Sequence, residues 1–158
     1  MDNASGLALK LLQDGERLNA YMLSLTEIER SAQVYTDGTV WTVRSVLAHV
    51  MSAEIGFLQL FREVRQGGAG TAEGFKIDSF NAAEQIRNEQ LTWQELLDSF
   101  QSTRARLIDF VATLTPDDLE RVGRHPFLGV TSLREMIKLI YIHAQTHLRD
   151  IRRALATR

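Results

Sequence analysis

The sequence contains no cysteine, only two prolines among 158 residues, and a formal charge of just −2 at pH 7. Without cysteine there is neither a disulfide nor a thiolate ligand, so a metal site would have to be built from His, Asp, Glu and water. The small net charge, with both signs spread along the chain, leaves no basic face able to hold a phosphate backbone, and a nucleic-acid partner is not expected. No apolar run approaches the roughly 20 residues of a membrane span. The N-terminus (Asp2, Asn3, Ser5, Gly6) lacks the basic and apolar regions of a signal peptide, a pattern that suits the cytoplasm.

What is present is a 44% hydrophobic composition, enough to bury one contiguous core, so a single domain over residues 1–158 is expected. Apolar residues recur at spacings of three and four without sustained alternation, which predicts an all-α fold. The first helix is predicted from about Leu7 to Glu29, burying Leu11, Leu18, Met22, Leu25 and Ile28. The second opens on Thr42 as N-cap, carries Val46, Val50, Ala53, Phe57, Leu60 and Val64, and stops at Gly67 and Gly68. Thr92 with Glu95 forms a capping box for the third, whose stripe is Trp93, Leu96, Phe100, Leu107, Val111 and Leu114.

Thr115, Pro116 and Asp118 then cap a short helical turn, and Arg124, His125, Pro126 and Gly129 read as a loop. Ser132 with Glu135 makes a further capping box for the last helix, which packs Leu133, Met136, Ile140, Ile151 and Leu155. Only the connection over residues 67–91, with a short helix from Phe80 to Arg87, is long enough to return along the bundle. The predicted architecture is therefore a four-helix bundle in up-down-down-up order, with its long crossover between the second and third long helices.

Three of the four histidines, His49, His143 and His147, fall on core-facing positions. His143 and His147 lie one turn apart on one face, and His49 comes from another helix. Two explanations are open on spacing alone. Each ring could find its own buried hydrogen-bond partners, or one metal ion could satisfy a nitrogen on all three.

The chain resembles the DinB-like (DinB/YfiT) four-helix bundle family of metalloenzymes in Trp41-Thr42-Val43-Arg44, in Leu47-Ala48-His49, and in His143-Ala144-Gln145-Thr146-His147 followed by Leu148-Arg149-Asp150-Ile151. The resemblance spans nearly the whole chain. It implies that His49, His143 and His147 ligate one divalent ion, zinc or nickel, and that the protein is a homodimer. It also implies kinship with thiol-dependent S-transferases and a mycothiol-dependent maleylpyruvate isomerase.

Three neutral imidazoles would leave the ion's charge uncompensated and a position open for water or for an incoming thiol. A metalloprotease helix carries Glu directly after its first histidine as general base, but Ala144 stands there. Thiol activation needs no such base, which favours transfer or addition of a low-molecular-weight thiol to a small-molecule substrate. A metal-dependent hydrolase and a non-catalytic metal-binding or dimerisation bundle are the alternatives.

Around the triad, Asp150 could orient a ligand ring, accept a proton, or simply pair with a nearby Arg. Arg104, on the third helix's stripe, is expected either to reach an anionic substrate near the metal or to snorkel to the bundle edge. His125, before Pro126, is a minor candidate for contact with the site. Arg149, Arg152, Arg153 and Arg158 look like an anion-binding cluster, but cations near a helix C-terminus are favoured by the helix dipole, and the cluster is assigned no function.

Overall fold

The computed structural model describes residues 2–158. Four long helices carry the fold: α1 (Ala4–Ser24), α3 (Val43–Arg65), α5 (Trp93–Ala112) and α7 (Leu133–Ala156). Short helices α2 (Glu27–Arg30), α4 (Ile77–Arg87) and α6 (Pro116–Leu119) lie in the connections. So do two antiparallel hairpins, β1 (Gln33–Tyr35) with β2 (Trp41–Thr42), and β3 (Val122–His125) with β4 (Gly129–Ser132).

The helix starts follow from capping chemistry. Thr42, Thr92 and Thr115 each accept a backbone N–H with a side-chain oxygen, and the third helical residue answers through its own side chain. Ser132 accepts the Glu135 N–H at 3.3 Å, while the Glu135 carboxylate pairs with Lys138, so only half of that expected box serves as a cap.

Packing sets the order of the helices. One core cluster joins the C-terminal end of α1 (Leu18, Met22) to the N-terminal ends of α3 (Val46, Leu47) and α5 (Leu96, Phe100) and the C-terminal half of α7 (Leu148, Ile151). The other joins the opposite ends: Leu7 and Leu11, Leu58 and Phe61, Leu107 and Val111, Met136 and Ile140. The long helices therefore run up, down, down, up. Each of α1 and α3 packs against both α5 and α7, which puts α1 and α3 at opposite corners and makes α3 and α7 antiparallel neighbours.

Three local expectations are corrected. The first helix ends at Ser24 rather than Glu29, because Thr26 and Glu29 form a capping box that starts α2. Ile28 consequently lies outside the core, 72% exposed. The crossover helix α4 begins at Ile77, earlier than Phe80. Arg124 and His125, expected in a loop, are strand residues of β3, and Pro126 to Leu128 turn the chain into β4.

Candidate metal centre

His49 sits in the second turn of α3, and His143 and His147 sit one turn apart on α7, where these antiparallel helices face each other. The three Nε2 atoms converge: His49 and His143 are 2.9 Å apart, and His143 and His147 are 3.1 Å apart. Two nitrogens bound to one ion at about 2.05 Å lie about 2.9 to 3.4 Å apart for angles between roughly 90° and 110°. The observed separations fall in that range, so the three rings could hold a metal ion together.

Hydrogen bonding alone does not satisfy this cluster. Tyr35 Oη lies 2.6 Å from Asp150 Oδ2 and 2.8 Å from His147 Nδ1. Burial first, then the Asp150 carboxylate, pushes the phenol pKa upward, so Tyr35 keeps its proton and donates it to Asp150. Its oxygen then accepts from His147 Nδ1–H, which leaves Nε2 of His147 as a bare lone pair aimed at His143. A single Nε2–H on His143 would have to serve both His147 and His49. One cation accepts all three lone pairs.

Burial holds the imidazoles neutral. Loss of hydration, followed by repulsion from the other rings, lowers the pKa of His49 and of His143 to about 3. His147 falls to about 4 for the same first reason, with Asp150 pulling the other way. His125 is also lowered, by burial, to about 4. The unfolded chain, with histidines near about 6.5, therefore binds protons that the folded chain refuses as pH falls from about 6.5 towards 4. Metal-free protein is expected to lose stability over that window, by up to ~1.4 kcal/mol per pH unit for each histidine. Denaturant titrations at pH 7 and pH 5 check this, and equal stabilities would contradict the burial.

The β1–β2 hairpin supplies the rest of the surroundings by pairing Tyr35 with Trp41. Trp41 packs on His49 with ring centroids 4.9 Å apart, and Tyr35 meets His147 edge-on at 5.8 Å. Tyr35 was not among the residues singled out from sequence, since nothing in a three-residue strand signals that its side chain will reach α7. Asp150 reaches the triad through this tyrosine, and its other oxygen lies 3.5 Å from Arg149.

On the other side, the triad opens onto a chamber of about 560 Å³. Phe57, Phe75, Phe80 and Phe127 wall it, and His125 also lines it. The Phe57 ring centroid lies 5.1 Å from that of His125 and 6.3 Å from that of His143.

Arg104 is not in this chamber, nor at the bundle edge. It is 3% exposed, donating to Glu54 through Nε and Nη2 at 2.7 Å each, and through Nη1 to Asp14 at 3.0 Å and the Leu11 carbonyl at 2.8 Å. Its donors are thus committed to an internal ion network linking α1, α3 and α5, which corrects both expectations for this residue. Gly15 makes room for it, because a Cβ there would lie 3.0 Å from Arg104 Cγ. Among the C-terminal arginines, Arg152 covers the Tyr21 ring at 4.9 Å, in keeping with a surface role.

Fold and site together define a four-helix bundle carrying a three-histidine cluster beside an apolar chamber. A model of the DinB superfamily matches residues 10–151, and the chain belongs to that family. No curated protein sequence matches it. Among solved structures it is similar to YfiT from Bacillus subtilis, a probable metal-dependent hydrolase with an unusual four-helix bundle topology. That likeness has a TM-score of 0.77 at 17% identity and covers 96% of this chain and 85% of YfiT. It is also similar to a mycothiol-dependent maleylpyruvate isomerase, with a TM-score of 0.78 at 13% identity and 94% of this chain covered. This chain spans 60% of the isomerase's length. A third similar structure is the colibactin self-resistance protein ClbS in complex with a double-stranded DNA, with a TM-score of 0.72 at 16% identity, covering 99% of this chain and 95% of ClbS.

Proposed function

We propose that His49, His143 and His147 bind one divalent ion, zinc or nickel, through their Nε2 atoms, and that the protein is a metal-dependent enzyme acting on a small molecule in the adjacent chamber. The observation that carries this reading is the convergence of three neutral Nε2 atoms whose hydrogen bonding cannot be completed among themselves. Such an ion supplies a Lewis-acid centre that lowers the pKa of a thiol or water held against it. The chain's own residues do the rest. Tyr35 and Asp150 fix the tautomer and orientation of His147, and the phenylalanine walls offer an apolar surface to the body of a substrate.

Within that reading, thiol-dependent S-transfer is favoured over hydrolysis. Ala144 is buried in the core, so no carboxylate stands beside His143 in the position a metalloprotease uses. Asp150 is spent on Tyr35, behind the triad rather than on its chamber side. The mycothiol dependence of the similar isomerase points the same way. Hydrolysis is the second reading, supported by Asp78, a carboxylate that does line the chamber, and by the likeness to YfiT. The formal charge of −2 argues against this chain sharing the DNA complex seen for ClbS.

Cobalt(II) substitution tests the choice. Adding a low-molecular-weight thiol to the cobalt form is expected to produce a sulfur-to-metal charge-transfer band that is absent in the His143→Ala variant. No band with any common thiol, together with metal-dependent ester hydrolysis abolished by Asp78→Asn, would replace transfer by hydrolysis.

The family resemblance extends the proposal to a homodimer. Leu9, Leu12 and Leu23 on the outer face of α1 are exposed and available for an isologous contact. Light scattering at micromolar concentration is expected to give twice the protomer mass. A protomer mass would contradict it.

A further inference from the structure

His125 presents an unusual combination. It is 1% exposed, and its Nδ1 accepts two backbone N–H groups of its own hairpin turn, from Phe127 at 3.0 Å and Leu128 at 3.2 Å. A nitrogen that accepts twice carries no proton, so the proton of the neutral ring is on Nε2. That Nε2–H is buried and has no acceptor among the described residues. Buried donors are nearly always paired, and one left over calls for a ligand or ordered water. Because Nδ1 faces the turn, Nε2 on the far side of the ring is directed away from it. The ring lines the chamber and packs against Phe57, which also neighbours His143.

The chamber's chemistry narrows what could accept this hydrogen bond. Its walls are dominated by phenylalanine and aliphatic groups, and among its lining residues there is no Lys or Arg to balance a carboxylate or phosphate. Asp78 is the acidic residue among them. An acceptor that is neutral and attached to an apolar body fits; an anion held by this part of the chamber does not.

We propose that the chamber binds a neutral, largely aromatic or aliphatic carbonyl compound whose oxygen accepts a hydrogen bond from His125 Nε2–H, with the body of the molecule between the phenylalanine walls and its other end at the histidine triad. The proposal rests on the reading that this chamber is the substrate site, but not on the identity of the ion. His125 is then a binding residue that sets which end of the substrate meets the triad.

The test compares 2-acetylnaphthalene with 2-ethylnaphthalene, which differ in the carbonyl, by calorimetric titration of the full chain. Each ligand is titrated into metal-free and metal-loaded protein. Two substitutions separate the ring's two nitrogens: His125→Asn keeps an acceptor for the turn and loses the distal donor, whereas His125→Gln keeps the distal donor. The ratio of ketone to hydrocarbon affinity is expected to fall about tenfold in His125→Asn and to stay within about twofold of wild type in His125→Gln. In the wild-type protein, the Nε2–H proton resonance is expected to move downfield with the ketone and not with the hydrocarbon. This second readout holds even if a variant folds poorly. An unchanged ratio in His125→Asn, or a proton resonance indifferent to the ketone, overturns the proposal. A ratio that depends on the metal and not on His125 overturns it while leaving the metal reading intact. Conversely, the His125 effect in protein that takes up no metal would retain the binding site and remove the metal reading.

Discussion

Replacing Arg104 by alanine is expected to lower the unfolding free energy by ~3–5 kcal/mol, because it strands buried carboxylates without their counter-charge. Burial pushes the Glu54 pKa upward while Arg104 pulls it down, and Asp14 adds repulsion. Without the guanidinium, Glu54 has to take up a proton or draw in water, and the Leu11 carbonyl loses its donor. Denaturant unfolding of the variant checks the magnitude, and a loss below about 1 kcal/mol would contradict the network's role. The double variant Arg104→Met, Glu54→Leu is expected to recover part of the loss, since apolar groups of similar volume need no pairing.

This network shows where sequence reasoning stops short. Arg104 interrupts the α5 stripe between Phe100 and Leu107, Asp14 sits between Leu11 and Leu18 in α1, and Glu54 lies among Val50, Met51 and Leu58 in α3. Each charge taken singly reads as a boundary residue, and Arg104 as one able to snorkel. Only the three together, on three apolar stripes, signal mutual burial, and their meeting depends on the bundle's corner arrangement. Helix positions, by contrast, were legible, because caps such as Thr42, Thr92 and Thr115 are local chemistry. The end of the first helix is set by the Thr26 and Glu29 box, a signal present in the residues that outweighs the apolar spacing continuing to Ile28. The hairpins were hidden for another reason: β1 and β2 are too short to show a period, and in β3 the buried alternate positions are Gly123 and His125, which do not read as apolar.

Replacing His143 by alanine is expected to weaken metal binding by at least about 100-fold while leaving the bundle folded, since two imidazoles hold an ion poorly and the core clusters do not depend on that ring. His143 is the ring whose Nε2 neighbours both others, so its loss removes the centre of the cluster. Tyr35→Phe is expected to cost less, about 10- to 100-fold, because His147 remains but its Nδ1–H loses its acceptor and its tautomer is no longer fixed. Competition with a chromophoric chelator measures both. Wild-type affinity in His143→Ala would remove that residue from the site.

The triad itself was legible because two of its members share one face of one helix and the third falls on an apolar stripe. Its supporting groups were not. Tyr35 reaches His147 from a hairpin 112 residues earlier in the chain, and the chamber is assembled from α3, α4, α7 and the β3–β4 turn. Such long-range placement leaves no local pattern to read, which is also why His125, in a stretch that reads as a loop beside a proline, is no more than a minor candidate on sequence alone.

Zinc K-edge X-ray absorption of tag-free protein loaded with one equivalent of zinc tests the central claim most directly. The expected spectrum shows three imidazole nitrogens at about 2.0 to 2.1 Å with a further light-atom ligand, reduced to two imidazoles in His143→Ala. A coordination sphere dominated by carboxylate oxygen, or a failure to retain zinc through gel filtration, would contradict the assignment of His49, His143 and His147 as one metal centre.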